Sequence, residues 1–262
     1  MQRVAVLGAT GSIGTSALDV LSRYPEDFCV YALAAGTRIE KLVDLAARFH
    51  PEVVGIADQE KVKALKDLLA ARGLQSIRVV AGAKDVASLA AESRVDTVLQ
   101  AVVGAAGLAP SFEAARAGKR LLLANKESVV CGASLLMETV KKGGATLLPI
   151  DSEHNAIFQC LHGASRDERK AVRIWLTCSG GPFRDKKDLD LSKVTPEVAL
   201  SHPTWSMGKK ISIDSATLMN KGFEVIEARY LFDVPSERIR VVVHPQSVLH
   251  SMVEFSDGSV IG

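Results

Sequence analysis

The chain has 262 residues, 47% of them hydrophobic, enough to bury the core of one large domain or two ordinary ones. Its 32 basic and 30 acidic residues are spread along the chain and leave a net charge of +2, which excludes an electrostatic case for nucleic acid or an anionic membrane surface. No apolar run reaches membrane-spanning length and no charged leader precedes the first strand, so a cytoplasmic protein is expected. The four cysteines, Cys29, Cys131, Cys160 and Cys178, lack paired spacing and lie in apolar surroundings, as expected of reduced, buried thiols.

A short apolar run over 3–7 enters Gly8-Ala9-Thr10-Gly11-Ser12-Ile13-Gly14, after which Ala17, Leu18, Val20 and Leu21 take helical spacing. Glycines between strand and helix let the backbone approach a phosphate, while the helix N-terminus offers free N–H groups and a positive dipole end. Glycines also serve ordinary turns, but this placement predicts a dinucleotide site. A second strand over 29–34 ends in Ala35-Gly36-Thr37-Arg38, where the acid that would bind a ribose 2′-hydroxyl is missing. Arg38 suits a 2′-phosphate and favours NADP(H) over NAD(H); the alternative is a solvated charge near a helix start.

Helix and strand then alternate: helix 39–49, strand 53–57, helix 61–72, strand 77–81, helix 85–92 and strand 97–103. The last of these runs into Gly104-Ala105-Ala106-Gly107, a second glycine loop at a strand's carboxyl end, where open α/β sheets place ligands. Helix 110–117 and strand 120–124 lead to Asn125-Lys126-Glu127-Ser128, where Lys126 is either a surface lysine or a site residue. Helix 135–142 and strand 146–150 complete a doubly wound parallel sheet of Rossmann type, so the first domain is expected over 1–150.

At the end of that strand the chain passes through Pro149 into Asp151-Ser152-Glu153-His154-Asn155, five side chains able to bind metal, protons or hydroxyls. Read as extended chain, Asp151 and Glu153 point to one side, and with a third acid they would hold a hard divalent cation. Beyond lie a brief helical pattern at Ile157, Phe158 and Leu161, a charged solvated loop over 165–170, and a strand over 172–177. That strand ends in Cys178-Ser179-Gly180-Gly181, an anion-binding kind of turn. Residues 200–210 have the Pro, Gly and Ser content of a loop that closes over a ligand.

A helix is expected over 216–232, with Leu218, Val225, Ile226, Tyr230 and Leu231 as its apolar stripe. Asn220 and Glu224 lie at i and i+4 with Lys221 one step round, which is either a solvated face or a functional one. Strands at 239–243 and 251–256 belong to a smaller sheet, and a turn at 257–258 precedes the last residues. The second domain, over 151–262, is therefore read as a smaller α+β catalytic domain.

Taken together, G-A-T-G-S-I-G at Gly8, L-L-A-N-K-E-S at Leu122, P-I-D-S-E-H-N-A-I-F-Q at Pro149, S-G-G-P-F-R at Ser179, H-P-T-W-S-M-G at His202, D-S-A-T-L-M-N-K-G-F-E at Asp214 and H-P-Q-S at His244 are long and unusual. On these motifs the chain closely resembles the 1-deoxy-D-xylulose 5-phosphate reductoisomerase family from its first strand to its last residue. The resemblance implies an NADPH- and divalent-metal-dependent oxidoreductase/isomerase of the non-mevalonate isoprenoid pathway, acting on a sugar phosphate as a homodimer, with Mg²⁺ or Mn²⁺ as the ion. It implies that Thr10, Gly11, Ser12 and Ile13 hold the cofactor pyrophosphate, that Gly36, Thr37 and Arg38 hold the adenosine end, that Asn125, Lys126 and Glu127 hold the region of the nicotinamide and substrate, and that Gly8 and Gly208 also bind the cofactor. Asp151, Glu153 and Glu224 would be the metal ligands, with Lys126 and His202 as further catalytic groups. Ser152 and His202 would meet the substrate's oxygenated carbons, Ser179, Ser215, Asn220 and Lys221 its phosphate, and Trp205 its carbon skeleton. Family members continue into a C-terminal helical domain, which the sequence ending at Gly262 is expected to lack.

Overall fold

In a computed structural model of the protein, residues 1–186, 188–201 and 208–262 are described. His202 and Trp205, expected to meet substrate, lie outside the described residues. The chain divides into two compact units, Met1–Ile150 and Asp151–Gly262.

In the first unit seven strands alternate with helices in chain order: β1 Gln2–Leu7, α1 Ser12–Arg23, β2 Phe28–Ala35, α2 Ile39–Phe49, β3 Val53–Ile56, α3 Val62–Ala71, β4 Arg78–Ala81, α4 Ala83–Ser88, β5 Thr97–Gln100, α5 Leu108–Arg116, β6 Arg120–Leu123, α6 Lys126–Gly143 and β7 Thr146–Pro149. The sheet order is β4-β3-β2-β1-β5-β6-β7, and each adjacent pair runs parallel. Strand order reverses at β1, so the carboxyl ends of β1 and β5 lie side by side at the switch point where such sheets bind ligands. Val6, Leu33, Val54 and Ile56 from the strands and Leu18, Leu42 and Leu65 from the helices form its core. The doubly wound α/β reading of the sequence therefore holds.

Two local readings change. Strand β5 ends at Gln100 rather than 103, because the Gln100 side chain takes over the backbone: its Oε1 accepts from the Val102 N–H at 2.9 Å and its Nε2 donates to the Gly107 carbonyl at 2.6 Å. Helix α6 starts nine residues earlier than the expected 135, with Asn125 as its N-cap accepting from the Ser128 N–H. Val129, Val130 and Gly132 hid the helix from pattern reading, and Ala133, at φ 42° and ψ −130°, kinks it midway.

The second unit comprises α7 Ser152–Cys160, α8 Arg166–Ala171, β8 Arg173–Cys178, α9 Pro196–Leu200, α10 Lys209–Ala216, α11 Met219–Phe232, β9 Ile239–Val243, β10 Ser251–Glu254 and β11 Val260–Ile261. Its sheet runs β11-β10-β8-β9, with β8 and β9 parallel and the other pairs antiparallel. Ile157, Leu161, Ile174, Leu176, Ala228 and Val253 form a separate core beneath it. This is the smaller α+β unit expected from the sequence.

Asp151 and Glu153 are not on extended chain: Asp151 is the N-cap of α7 and Glu153 sits in its first turn. The charged segment 165–170 is no loop, because Ser165 and Glu168 form a reciprocal capping box that starts α8. The helix expected over 216–232 starts only at Met219, as α11; Ala216 instead ends a separate helix, α10, and between them Leu218 adopts left-handed geometry at φ 61°. Leu218 and Ile226, read as core, are exposed, while Lys221, Glu224 and Glu227 are buried. None of the four thiols is fully buried: Cys131 is exposed and Cys29, Cys160 and Cys178 are half-buried, all unpaired. Among the described residues, no helix is long and apolar enough to cross a membrane.

Candidate functional site

In the first unit the glycine turn after β1 is built by close approach. Gly8 has φ +85°, and a Cβ there would lie 2.4 Å from the Ala101 carbonyl oxygen beyond β5. A Cβ on Gly14 would lie 2.4 Å from the Gly8 carbonyl, so α1 packs directly against the turn. Gly11 is the N-cap of α1 and no side chain caps it. Its first-turn N–H groups thus face outward beside exposed Ser12 and Ile13, the donor arrangement a pyrophosphate needs. Thr10 is buried behind them. Gly36 and Arg38 follow β2, and a Cβ on Gly36 would touch no other atom.

The loop after β5 is held by a buried polar network that sequence reading missed. Ser111 donates to the Gly107 carbonyl at 2.9 Å and lies 2.8 Å from the Ser128 hydroxyl. Asn125 Nδ2 donates to the carbonyls of Val102 at 2.7 Å and Gly104 at 3.0 Å and to Glu127 at 3.0 Å. These bonds fix the start of α6, which places Lys126 at its first position. Polar residues three apart, Asn125 and Ser128, were the available signal.

In the second unit, Asp151, Glu153 and Glu224 each offer a carboxylate oxygen, and these atoms all lie within 4.8 Å of one another. The first two come from the start of α7 and the third from α11, some seventy residues on. An all-oxygen set of three carboxylates fits Mg²⁺ or Mn²⁺ rather than zinc. Lys221 Nζ bonds Glu224 and donates to Glu153 at 3.3 Å, and Asn220 Nδ2 donates to the other Glu224 oxygen at 2.6 Å. Burial would lower the Lys221 pKa, but the charges of Glu224 and Glu153 outweigh it and raise it, so the side chain is an ammonium.

His154, singled out in the acidic run without a role, and Glu227, which was not foreseen, complete the cluster. His154 is fully buried, with Nδ1 3.0 Å from Asp151 Oδ2 and Nε2 2.9 Å from the Glu224 carbonyl oxygen. A carbonyl only accepts, so Nε2 carries hydrogen; Nδ1, facing Asp151 and with Glu227 at 3.7 Å, does too. Burial opposes this imidazolium, but the hydrogen bond to Asp151 and the charges of Glu227, Asp151 and Glu224 prevail, lifting the pKa from 6.5 to about 9. His154 thereby ties one candidate ligand to the helix that carries another. Read as a helix start, Asp151-x-x-His154 would have revealed the contact.

Ser179, Gly180 and Gly181 follow β8 in a turn with both glycines at positive φ. A Cβ on Gly181 would lie 2.6 Å from the Ser215 carbonyl oxygen, so this turn and α10 meet. Lys221 is near enough to act on Cys178, whose thiol burial pushes up and the ammonium pulls down. Ser152 donates to Glu153 at 2.7 Å, and Gly208 is the N-cap of α10. Structure thus gathers Asp151, Ser152, Glu153, Asn220, Lys221 and Glu224 in one cluster.

Two family profiles match the chain: 1-deoxy-D-xylulose 5-phosphate reductoisomerase over residues 4–133, and the C-terminal domain of the same enzyme over 147–232. A reductoisomerase of that name from Janthinobacterium sp. (strain Marseille) is 52% identical across 100% of this chain and 67% of its own length. The chain belongs to the 1-deoxy-D-xylulose 5-phosphate reductoisomerase family. The reductoisomerase from Aromatoleum aromaticum (strain DSM 19018 / LMG 30748 / EbN1) is 54% identical over 100% of this chain and 65% of its own. Among solved structures, a DOX-P reductoisomerase in complex with NADPH, fosmidomycin and magnesium superposes with TM-score 0.93 at 46% identity, covering 99% of this chain and 65% of that one. The reductoisomerase from Zymomonas mobilis in complex with NADPH gives 0.89 at 47% identity over 99% of this chain and 66% of that one. The chain therefore spans about two thirds of the length of the reductoisomerases it matches.

Proposed function

We propose that the protein converts 1-deoxy-D-xylulose 5-phosphate to 2-C-methyl-D-erythritol 4-phosphate by rearrangement and NADPH-dependent reduction, with a divalent ion, Mg²⁺ or Mn²⁺, as cofactor. The observation that carries this reading is the convergence of the Asp151, Glu153 and Glu224 oxygens within 4.8 Å. When bound, the ion supplies Lewis acidity toward neighbouring substrate oxygens and NADPH supplies hydride. Asp151, Glu153 and Glu224 hold the ion, and Ser152 and His202 orient the substrate's oxygenated carbons beside it. Ser179, Ser215, Asn220 and Lys221 anchor the phosphate, so that the carbon skeleton is fixed at its far end. Trp205 covers that skeleton and excludes water.

The residues of 1–150 form the NADPH-binding domain and those of 151–262 the metal- and substrate-binding domain. Gly8, Thr10, Gly11, Ser12 and Ile13 take the pyrophosphate at the uncapped start of α1, and Gly36, Thr37 and Arg38 take the adenosine end. The absence of an acid after β2, with Arg38 in place, supports NADPH over NADH. Asn125, Lys126 and Glu127 serve the nicotinamide region, where Lys126 also polarises a substrate oxygen, and Gly208 is a further cofactor-binding residue. The protein works as a homodimer in the cytoplasm, the state that family resemblance implies, and its unpaired thiols fit that compartment.

The test is substrate-dependent consumption of NADPH with product identification. We expect activity that requires divalent metal and falls by at least about a hundredfold in Glu224→Gln, consistent with loss of a group that stabilises developing charge. Full turnover by that variant in the presence of chelator would refute the metal assignment. A reduced but unrearranged product would instead mark a simple sugar-phosphate dehydrogenase.

A further inference from the structure

Lys221 is assigned above to the substrate phosphate, yet its ammonium sits on the carboxylates assigned to the metal. It bonds Glu224 and donates to Glu153 at 3.3 Å, and only about 5% of the residue is exposed. Glu224 already uses its other oxygen for Asn220 at 2.6 Å. A divalent ion ligated by Glu153 and Glu224, at bond lengths of about 2.0–2.6 Å, sits on the same two carboxylates that Lys221 contacts. Two cations on one pair of carboxylates in a buried place repel strongly, because little solvent screens them. Asn220 carries no charge and has no such conflict, so the ammonium is the group that leaves.

Its direction of departure is limited. The four-carbon stem stays on α11, and Lys221 already acts electrostatically on Cys178, the residue preceding the 179–181 turn. That turn offers Ser179 and two positive-φ glycines beside Ser215, the kind of backbone that cradles an anion.

Resting on the metal and phosphate reading above, we propose that Lys221 is an exchangeable occupant of the carboxylate cluster: a divalent ion displaces its ammonium from Glu153 and Glu224, which frees it to hold a phosphate, so that metal and phosphate bind with positive coupling. Lys221 is thus a positioning residue for metal entry as well as a phosphate ligand. The exchange moves charge without changing any bond: one cation leaves the carboxylates as another arrives.

The experiment measures Mn²⁺ affinity by electron paramagnetic resonance of the free ion, on this chain, with and without inorganic phosphate and with correction for the manganese–phosphate complex. Lys221→Met is expected to bind Mn²⁺ at least about fivefold more tightly than wild type, since the competing cation is gone. Saturating phosphate is expected to tighten wild-type Mn²⁺ binding by about fivefold or more, and by linkage Mn²⁺ tightens phosphate binding equally. Removing an exposed lysine of the same unit, Lys170→Met, is expected to leave Mn²⁺ affinity nearly unchanged, because a solvated charge is screened. Unchanged or weaker Mn²⁺ binding by folded Lys221→Met overturns the exchange, as does an equal gain in Lys170→Met. If Lys221→Met does not fold, absence of phosphate coupling in wild type overturns it. Glu224→Gln separates the two ideas: wild-type Mn²⁺ affinity in that variant means the cluster is not the metal site and the underlying reading fails.

Discussion

Both ring nitrogens of His154 face acceptors, and that decides how pH acts on the second unit. Its folded pKa of about 9 lies above the ordinary 6.5, so the stabilisation it brings is fully present below 6.5 and is lost as pH rises through 9. A shift of that size corresponds to on the order of 3 kcal/mol. In chelator, urea unfolding of the chain is expected to show stability declining between those pH values, and His154→Gln, which cannot titrate, should flatten that decline. Parallel pH profiles for the two proteins would show that the imidazolium contributes nothing. Asp151, Glu153 and His154 were legible in the sequence as a polar run at a strand's end, whereas Glu224 and Lys221 were open between a solvated and a functional face until the family resemblance gave them roles. The part His154 plays and the whole of Glu227 were not legible, since their value comes from burial and from contacts across seventy residues.

At the level of elements, the glycine turn shows how closely the sheet and its first loop are fitted. Gly8→Ala puts a Cβ into left-handed backbone at φ +85° and 2.4 Å from the Ala101 carbonyl oxygen. A loss of stability of at least about 2 kcal/mol is expected from strain and displacement together, with weakened NADPH binding measured by calorimetry. Unaltered melting and binding would contradict the close approach. Period and glycine placement made the seven parallel strands and most of their helices readable, because strands buried on both faces are continuous apolar runs. Two of the elements misread were set by side-chain hydrogen bonds rather than by hydrophobic period, the Asn125 cap of α6 and the Ser165–Glu168 box of α8, while α7 starts at Asp151 without a side-chain cap. The break at Leu218 was also hidden, since nothing in an aliphatic side chain signals left-handed geometry.

On the scale of the whole chain, the two cores are separate sets of residues, and the candidate metal ligands all belong to the second unit. A fragment of residues 1–150 is therefore expected to fold and to bind NADPH, while Mn²⁺ raises the melting temperature of the chain and not that of the fragment. An equal Mn²⁺ shift in both would place the ion in the first unit. Sequence composition alone allowed two domains; the junction was legible because the last strand of the parallel sheet runs straight into the acidic segment.

Helix α11 turns Lys221, Glu224 and Glu227 inward, toward His154 and Asp151, and leaves Ile226 outside. Neutralising any one of these inner charges strands its buried partners, a change that typically costs about 3–5 kcal/mol. Mutational drift on this helix is therefore uneven. Its outer apolar positions can change singly, whereas its three inner ionic side chains, Lys221, Glu224 and Glu227, can be exchanged only in concert with one another and with His154 and Asp151. The charged face of α11 would thus record shared ancestry longer than the hydrophobic positions that ordinarily preserve a fold.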